Sequence, residues 1–241
     1  MSFAQNAGGV GKVRNAHKGK RAPKGTTTRK LPLKGGRTGK AKGKGPKGTG
    51  KVRAHELYAT PPEATQALLD RYTDALTRLP VWEPAVGTGA LADVLVAGGA
   101  QVVGSDLNDH GRGGGVMFQT ASWPEGLDDG DSIVTNPPFS QAAQFIVHAV
   151  VDLRAGFVAL LLKAAYFHAA ERAELFTRCP PSAVHPLLWR LDFTDEGSPA
   201  MEMSWYVWRE DDPRAGLGTL YEPMARPRPR CDDLFSAPVI P

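Results

Sequence analysis

From position 61 the chain reads PPEATQALLDRYTDAL, with apolar residues at Ala64, Ala67, Leu68, Tyr72, Ala75 and Leu76. That spacing predicts a helix, and the two prolines at its head suit a first turn, where an N–H has no partner to lose. The next stretch, RLPVWEPAVGTGALADVLVAGGAQVVGSDLND, changes period. It predicts a strand over 81–85, a Gly-rich turn, a helix over about 90–97 stopped by Gly98-Gly99, and a strand over 101–105. Such a βαβ unit of about 30 residues is the mark of a parallel sheet.

The alternation continues. SIVTN predicts a third strand, and SQAAQFIVHAVVDL a helix with Ser140 as its N-cap. GFVALLLK predicts a fourth strand, apolar enough to be buried on both faces. YFHAAERAELFTRC reads as a helix ended by Pro180-Pro181, and AVHPLLWRLDF and EMSWYVWRE as two later strands. The Pro-rich end over 213–241 is expected to be irregular. Alternating β and α elements imply an α/β fold with a doubly wound, mostly parallel open sheet. In such sheets ligands bind outside the carboxyl ends of the strands, where both EPAVGTG and TNPPF fall.

Charge divides the chain at residue 53. Residues 1–53 hold sixteen of the 29 Lys and Arg and no acid, while the remainder holds 13 basic and all 25 acidic side chains, a net −12. The tail is built from Gly, Lys, Arg, Pro and Thr and has almost nothing apolar to offset its ordering entropy, so it is expected to be disordered in isolation. Its functional reading is an arm that neutralises nucleic-acid phosphates without reading sequence; a solubilising tail, an arm folded onto the acidic body or a targeting signal are the alternatives. Expected domains are the tail (1–53), a catalytic body (54–212) and the Pro-rich end (213–241). No apolar run approaches the roughly 20 residues that span a bilayer. The first residues lack the apolar centre of a secretory signal. Cys179 and Cys231 form no metal spacing and no disulfide framework, which fits a reducing cytoplasm.

Two motifs carry chemistry. In EPAVGTG, Gly87 and Gly89 permit a tight turn and close approach of a ligand to the backbone. The P-loop pattern is absent, and the third glycine of G-x-G-x-x-G is replaced by Ala92. Asp106 ends the next strand about 20 residues on, where an acid can accept hydrogen bonds from both ribose hydroxyls of an adenosyl ligand; a strand-end turn residue is the plainer alternative. Glu83 either faces an ammonium or helps hold the loop. In NPPF, the Asn136 side-chain oxygen and the Pro137 carbonyl can accept from the two N–H groups of a planar amine, drawing it toward tetrahedral geometry. Pro137 and Pro138 stiffen the loop, and Phe139 can stack on the amine's ring. A simple strand-end turn is again the alternative.

With these motifs the chain resembles the S-adenosylmethionine-dependent amino-methyltransferases bearing a [D/N/S]-P-P-[Y/F/W] motif, most closely phage-type DNA N6-adenine methyltransferases. YATPPEATQALL (58–69), EPAVGTG with GSDL, and TNPPF carry the likeness, in the order of the gamma arrangement, and EMSWYVWRE resembles the late W-x-V-W strand of phage members. Coverage is about residues 55–210. The resemblance implies a Rossmann-like class I methyltransferase fold, S-adenosylmethionine as cofactor, and methyl transfer to N6 of a flipped DNA adenine in a bacterial or phage-infected cell. It places Tyr58, Thr60, Pro61, Glu83, Pro84, Ala85, Gly87, Gly89, Asp106 and Leu107 on the cofactor, and Asn136, Pro137, Pro138 and Phe139 on the catalytic loop.

Two features depart from the family. The acid that often follows the third strand is replaced by Gln119, Ser122 or Trp123, and Trp123 either stacks on the cofactor's adenine or is an ordinary surface or core residue. About 40 residues between LLLK and the last strand leave no room for a long target-recognition domain, which implies weak sequence discrimination. Lys163, His168, Glu171 and Arg172 either line a substrate groove or are solvated; His148 reads as a core histidine and Arg190–Asp192 as a structural pair. Competing substrates are an rRNA adenine or a protein glutamine, and a catalytically silent DNA-binding scaffold is the non-enzymatic alternative. Deleting residues 1–53 is expected to weaken DNA binding and flatten its salt dependence in a titration across ionic strengths; unchanged affinity would reject the phosphate-binding role.

Overall fold

The computed structural model describes residues 58–194 and 196–228; the basic segment 1–53 and the end 229–241, with the readings made of them, lie outside the described residues. In chain order the main elements are α1 (Pro62–Arg78), β1 (Val81–Glu83), α2 (Ala90–Ala97), β2 (Val102–Gly104), β3 (Ser132–Thr135) and α3 (Ala142–Val147), then β4 (Phe157–Lys163), α4 (Ala173–Arg178), β5 (Ala183–Pro186), β6 (Met203–Arg209) and β7 (Leu220–Tyr221). The strands form one sheet in the order β2-β1-β3-β4-β6-β5-β7. β2, β1, β3 and β4 run parallel, β6 is antiparallel to both β4 and β5, and β7 is parallel to β5. The expected mostly parallel, doubly wound sheet is therefore present, with the antiparallel strand at β6.

Strand periodicity sorts the core into two halves. Val81, Val134, Phe157, Ala159, Leu161, Met203, Trp205 and Val207 point to one face, under Leu68, Leu69 and Leu76 of α1 and Leu91 and Leu95 of α2. Trp82, Ile133, Val158, Leu160, Leu162, Tyr206 and Trp208 point to the other, under Ala142, Phe145 and Ile146 of α3 and the ring of Tyr166. Burial on both faces explains why β4 reads as an unbroken apolar run. Buried indoles also find acceptors: Trp205 Nε1 donates to Ala64 O at 2.9 Å, tying β6 to α1, and Trp208 Nε1 to Cys179 O at 3.0 Å.

Several expected elements come out differently. Ser140 is not the N-cap of α3; Gln141 is, with no side-chain cap bond, and the helix runs on as a π-helical turn over His148–Asp152. That turn carries His148, buried as expected, between Asp152 Oδ2 and Ala121 O, each at 2.9 Å. The helix expected over 166–179 is shortened to α4, because the chain is extended at Ala169 (φ −116°, ψ 128°) and re-enters through a 3-10 turn. β5 stops at Pro186, which has no N–H to continue the ladder. Part of the segment expected to be irregular adds β7, just after which the Glu222 carbonyl accepts from His185 Nδ1 at 2.7 Å, while Tyr72 Oη donates to His185 Nε2 at 2.6 Å. Burial holds that imidazole below its ordinary pKa, in keeping with a neutral ring in both bonds. Arg190 pairs with Glu202 at 2.7 Å rather than with Asp192, whose carboxylate accepts from Thr194 and Ser198.

The central strand is the part least able to relax. Leu160→Ala, at a fully buried position of β4, is expected to lower unfolding free energy by about 2–5 kcal/mol in a urea titration with the slope of the transition unchanged.

Candidate active site

The sheet reverses its strand order between β1 and β3, so their carboxyl ends border a crevice that no crossover helix covers. A cavity of about 650 Å³ occupies it. Tyr58, Thr60, Glu83, Pro84, Ala85, Gly87, Asp106, Leu107, Asn136 and Pro138 all line this cavity, so the three motifs meet in one place. Pro137 and Phe139 line a small recess that shares Tyr58, Asn136 and Pro138 with the cavity. Pro61 and Gly89 do not reach it. Pro61 starts α1, and Gly89 starts α2 at φ +91°, a conformation that favours glycine.

Around the glycine turn, Asp106 does local work as well as facing the cavity. Its two oxygens accept from the backbone N–H of Gly87 at 3.0 Å and of Asn108 at 2.9 Å. Each oxygen keeps a further lone pair for a ligand hydroxyl. Arg112 grips Asp93 of α2 with two bonds of 2.9 Å, pinning the loop after β2 to the helix over the turn. A Cβ on Gly89 would stand 2.7 Å from the Arg112 guanidinium carbon, a flexible side-chain end that can shift, so the positive φ is what favours glycine there.

Two acceptors lie buried without partners at the carboxyl ends of the parallel strands. Glu83 is 2% exposed, and its Oε2 receives no hydrogen bond. Desolvation pushes its pKa well above the ordinary value; the backbone N–H of Ala92 pulls the other way, and the charges of Asp93 and Asp106 push it up further. Asn136 Oδ1 is likewise buried and unpartnered. The amide is turned by its other end, where Nδ2 donates to Thr60 Oγ1 at 3.2 Å. Thr60 thus aims Asn136, a link between the opening segment and the catalytic loop that sequence spacing did not disclose. Pro138 O accepts from Gln141 N–H at 2.9 Å, whereas the Pro137 carbonyl takes no hydrogen bond from the described residues. Phe139 stacks near-parallel to Tyr58 (6.2 Å between centroids, 25° between planes), and Lys163 Nζ lies 4.8 Å from its ring centre.

Of the residues considered in place of the missing acid, Gln119 lines the cavity and bonds to Gln141. Trp123 does not line it: it packs against Trp82 at 5.7 Å and donates to Leu153 O at 3.1 Å. Val86, Thr88, Leu91, Asn108, Val116 and Phe118 also line the cavity. They are apolar or common loop residues with no motif to reveal them. Among the described residues no group of three or more His, Cys, Asp or Glu could hold a metal ion, and no helix is long and apolar enough to cross a membrane.

No protein-family model matches the chain, and no curated protein matches it by sequence. Solved structures do. A modification subunit assigned to a type I restriction enzyme of Vibrio vulnificus YJ016 superposes with a TM-score of 0.52 at 13% identity, covering 77% of this chain and 54% of that one. The methyltransferase subunit of a type I restriction-modification system from Streptococcus thermophilus gives 0.51 at 12% identity, covering 69% and 47%. This chain therefore spans about half the length of either subunit. A Listeria monocytogenes protein described as a class I S-adenosylmethionine-dependent methyltransferase gives 0.49 at 12%, covering 71% and 68%. At this identity the likeness shows the fold alone, a Rossmann-like α/β architecture shared with the two type I subunits.

Glu83 makes the site visible in a stability profile. Its carboxyl is held protonated in the fold above its ordinary value of about 4.5, so unfolding releases a proton. Its contribution is complete below about pH 4.5 and is lost as pH rises toward the folded-state value. Glu83→Gln, which keeps the shape and cannot titrate, is expected to lose less stability than the wild type in urea unfolding repeated from pH 4.5 upward.

Proposed function

We propose that the protein is an S-adenosylmethionine-dependent methyltransferase acting on the N6 amino group of adenine in DNA. The observation that carries this reading is the orientation of Asn136: an orphaned, buried acceptor aimed by Thr60 and lining the same cavity as the Gly87–Asp106 turn. A buried acceptor left unsatisfied costs about 1–3 kcal/mol, and a ligand N–H repays that cost. Glu83 Oε2 is a second such acceptor in the same cavity.

The residues present fit the cofactor. Asp106 and the Gly87 backbone would hold the ribose end, with Leu107 and Phe118 as apolar walls. Glu83, with Tyr58 and Thr60 from the opening segment, would hold the charged amino-acid end, and a cation there brings the Glu83 pKa down toward its ordinary value. Pro84, Ala85 and the turn that closes at Gly89 would shape the wall between. S-adenosylmethionine supplies an electrophilic methyl group on a sulfonium. The protein's own residues prepare the acceptor: Asn136 Oδ1 and the Pro137 carbonyl take the two N–H bonds of the exocyclic amine, which localises its lone pair. Pro137 and Pro138 hold those acceptors rigid, so little reorganisation accompanies reaction. Phe139 supplies a flat face for the base. This work is positioning and electrostatic stabilisation and needs no covalent intermediate.

A nucleic acid is favoured over a protein glutamine by the cationic segment 1–53 together with the NPPF sequence, and DNA is taken over RNA on the resemblance to phage-type DNA N6-adenine methyltransferases. The fold shared with type I modification subunits is consistent with this substrate. Asn136→Ala is expected to abolish tritium transfer to DNA, by at least about a hundredfold, while cofactor affinity measured by calorimetry stays within a few-fold of wild type. Full activity in that variant would reject the assignment, and offering RNA and protein in the same assay decides among the acceptors.

A further inference from the structure

From residue 54 onward the chain holds a single lysine, Lys163; the other eleven lie within 1–51. β4 ends on this residue and delivers it to the carboxyl edge of the parallel strands, the edge on which Glu83 and Asn136 stand. Its side chain is exposed, with the ammonium 4.8 Å from the centre of the Phe139 ring. No carboxylate among the described residues pairs with it. That is unusual in this molecule. Eight of its arginines, Arg71, Arg78, Arg112, Arg172, Arg178, Arg190, Arg209 and Arg226, lie within 4.0 Å of an Asp or Glu oxygen. In a body with 25 acidic side chains, the one lysine is left without a carboxylate partner beside the aromatic ring of the catalytic loop.

We propose that Lys163 is a specificity residue that engages the phosphate of the target nucleotide. The Phe139 ring is half-buried and its ammonium neighbour is exposed, so the cation–π contact is weakly held, and a planar base competes for the same aromatic surface. Lysine is a compact charge on a flexible four-carbon stem, so it transfers from the ring to a nearby anion without movement of the backbone. Asn136 takes the amine, Phe139 the ring, and Lys163 the phosphate on the sugar side. The three requirements together select a nucleotide over an uncharged amide side chain. The proposal rests on the nucleic-acid reading above and names the residue that enforces it.

Methyl transfer by the full chain to a short adenine-containing single-stranded deoxyoligonucleotide, over a series of salt concentrations, tests this. Wild type, Lys163→Gln and Lys163→Arg are compared, with cofactor affinity measured by calorimetry for each. Lys163→Gln is expected to raise KM for the oligonucleotide by about tenfold at low salt, and to reduce the slope of log affinity against log salt by roughly one phosphate contact. Its kcat and cofactor affinity stay near wild type, and Lys163→Arg restores both KM and slope. An unchanged slope in Lys163→Gln overturns the proposal while leaving the function intact, provided the wild type methylates the oligonucleotide. A fall in kcat with the slope unchanged also overturns it, because that pattern marks a packing role under Phe139. If the wild type binds cofactor and methylates no nucleic acid, the functional reading fails first and this proposal with it.

Discussion

β1 and β3 pair in parallel through Val81 with Ser132 and Trp82 with Ile133, and just beyond this register each strand leaves a polar side chain in the cavity wall. Glu83 ends the first strand and Asn136 directly follows the second. The sheet order reverses here, so β2 lies to one side of the pair and β4 to the other. Helices cover the two faces of the sheet but not this edge, and the crevice is the geometric remainder. The EPAVGTG turn and the NPPF loop are brought together by that one register, and the opening segment joins them through the Asn136–Thr60 bond. A slip of one residue in either strand would turn Trp82 or Ile133 from its own core half into the opposite one, so the same hydrophobic sorting that stabilises the sheet also sets the spacing of the acceptors.

The cost of this arrangement falls on the buried acceptors. Glu83 and Asn136 each present an oxygen that nothing in the described chain satisfies, and the Pro137 carbonyl is a third. The indoles of Trp82, Trp205 and Trp208 and both nitrogens of His148 and His185 do have partners, while Thr65, Ser132, Thr135, Trp189, Ser204 and Arg214 each bury a polar atom without one away from the cavity. What sets Glu83 and Asn136 apart is that their unpartnered oxygens belong to residues lining the cavity, where a ligand can satisfy them. The position of Thr60 follows the same logic. By accepting from Asn136 Nδ2 it fixes which end of the amide faces inward, so the NPPF loop is oriented without a ligand in place.

The βαβ unit and the later strands were legible because their signals are local: β4 and β6 are apolar runs of the right length, and Gly87, Gly98 and Gly99 punctuate the turns. The motifs placed ten of fourteen expected site residues on the cavity wall, and two more in the adjoining recess, because a motif is itself local. What escaped depends on tertiary contact. β7 is two residues long and exists through its pairing with β5 and the His185–Glu222 bond. Trp123 was open between a ligand and a core role, and its contacts with Trp82 and the Leu153 carbonyl decide for the core. The Arg112–Asp93 grip joins a loop to a helix across 19 positions, a distance at which no periodicity speaks.

Between β4 and β6 the chain has little to spare for reading DNA sequence. Only about 40 residues lie there, the length of α4, β5 and their loops, and Tyr166, Cys179, Val184, Leu187 and Leu191 among them are buried in the far half of the sheet. Residues committed to a core cannot also reach base edges in a groove. On the proposed reading, discrimination must then come from the slot itself: the amine at Asn136, the ring at Phe139 and the anion at Lys163. Such a slot tells a base with an exocyclic amine from one without and a nucleotide from a peptide, but it reads only the nucleotide it holds. Affinity for the rest of the strand falls to charge, and the acidic body supplies the wrong sign for it. The cationic segment 1–53 is the part of this chain with the composition to compensate, which makes the division of charge a functional requirement of the compact body.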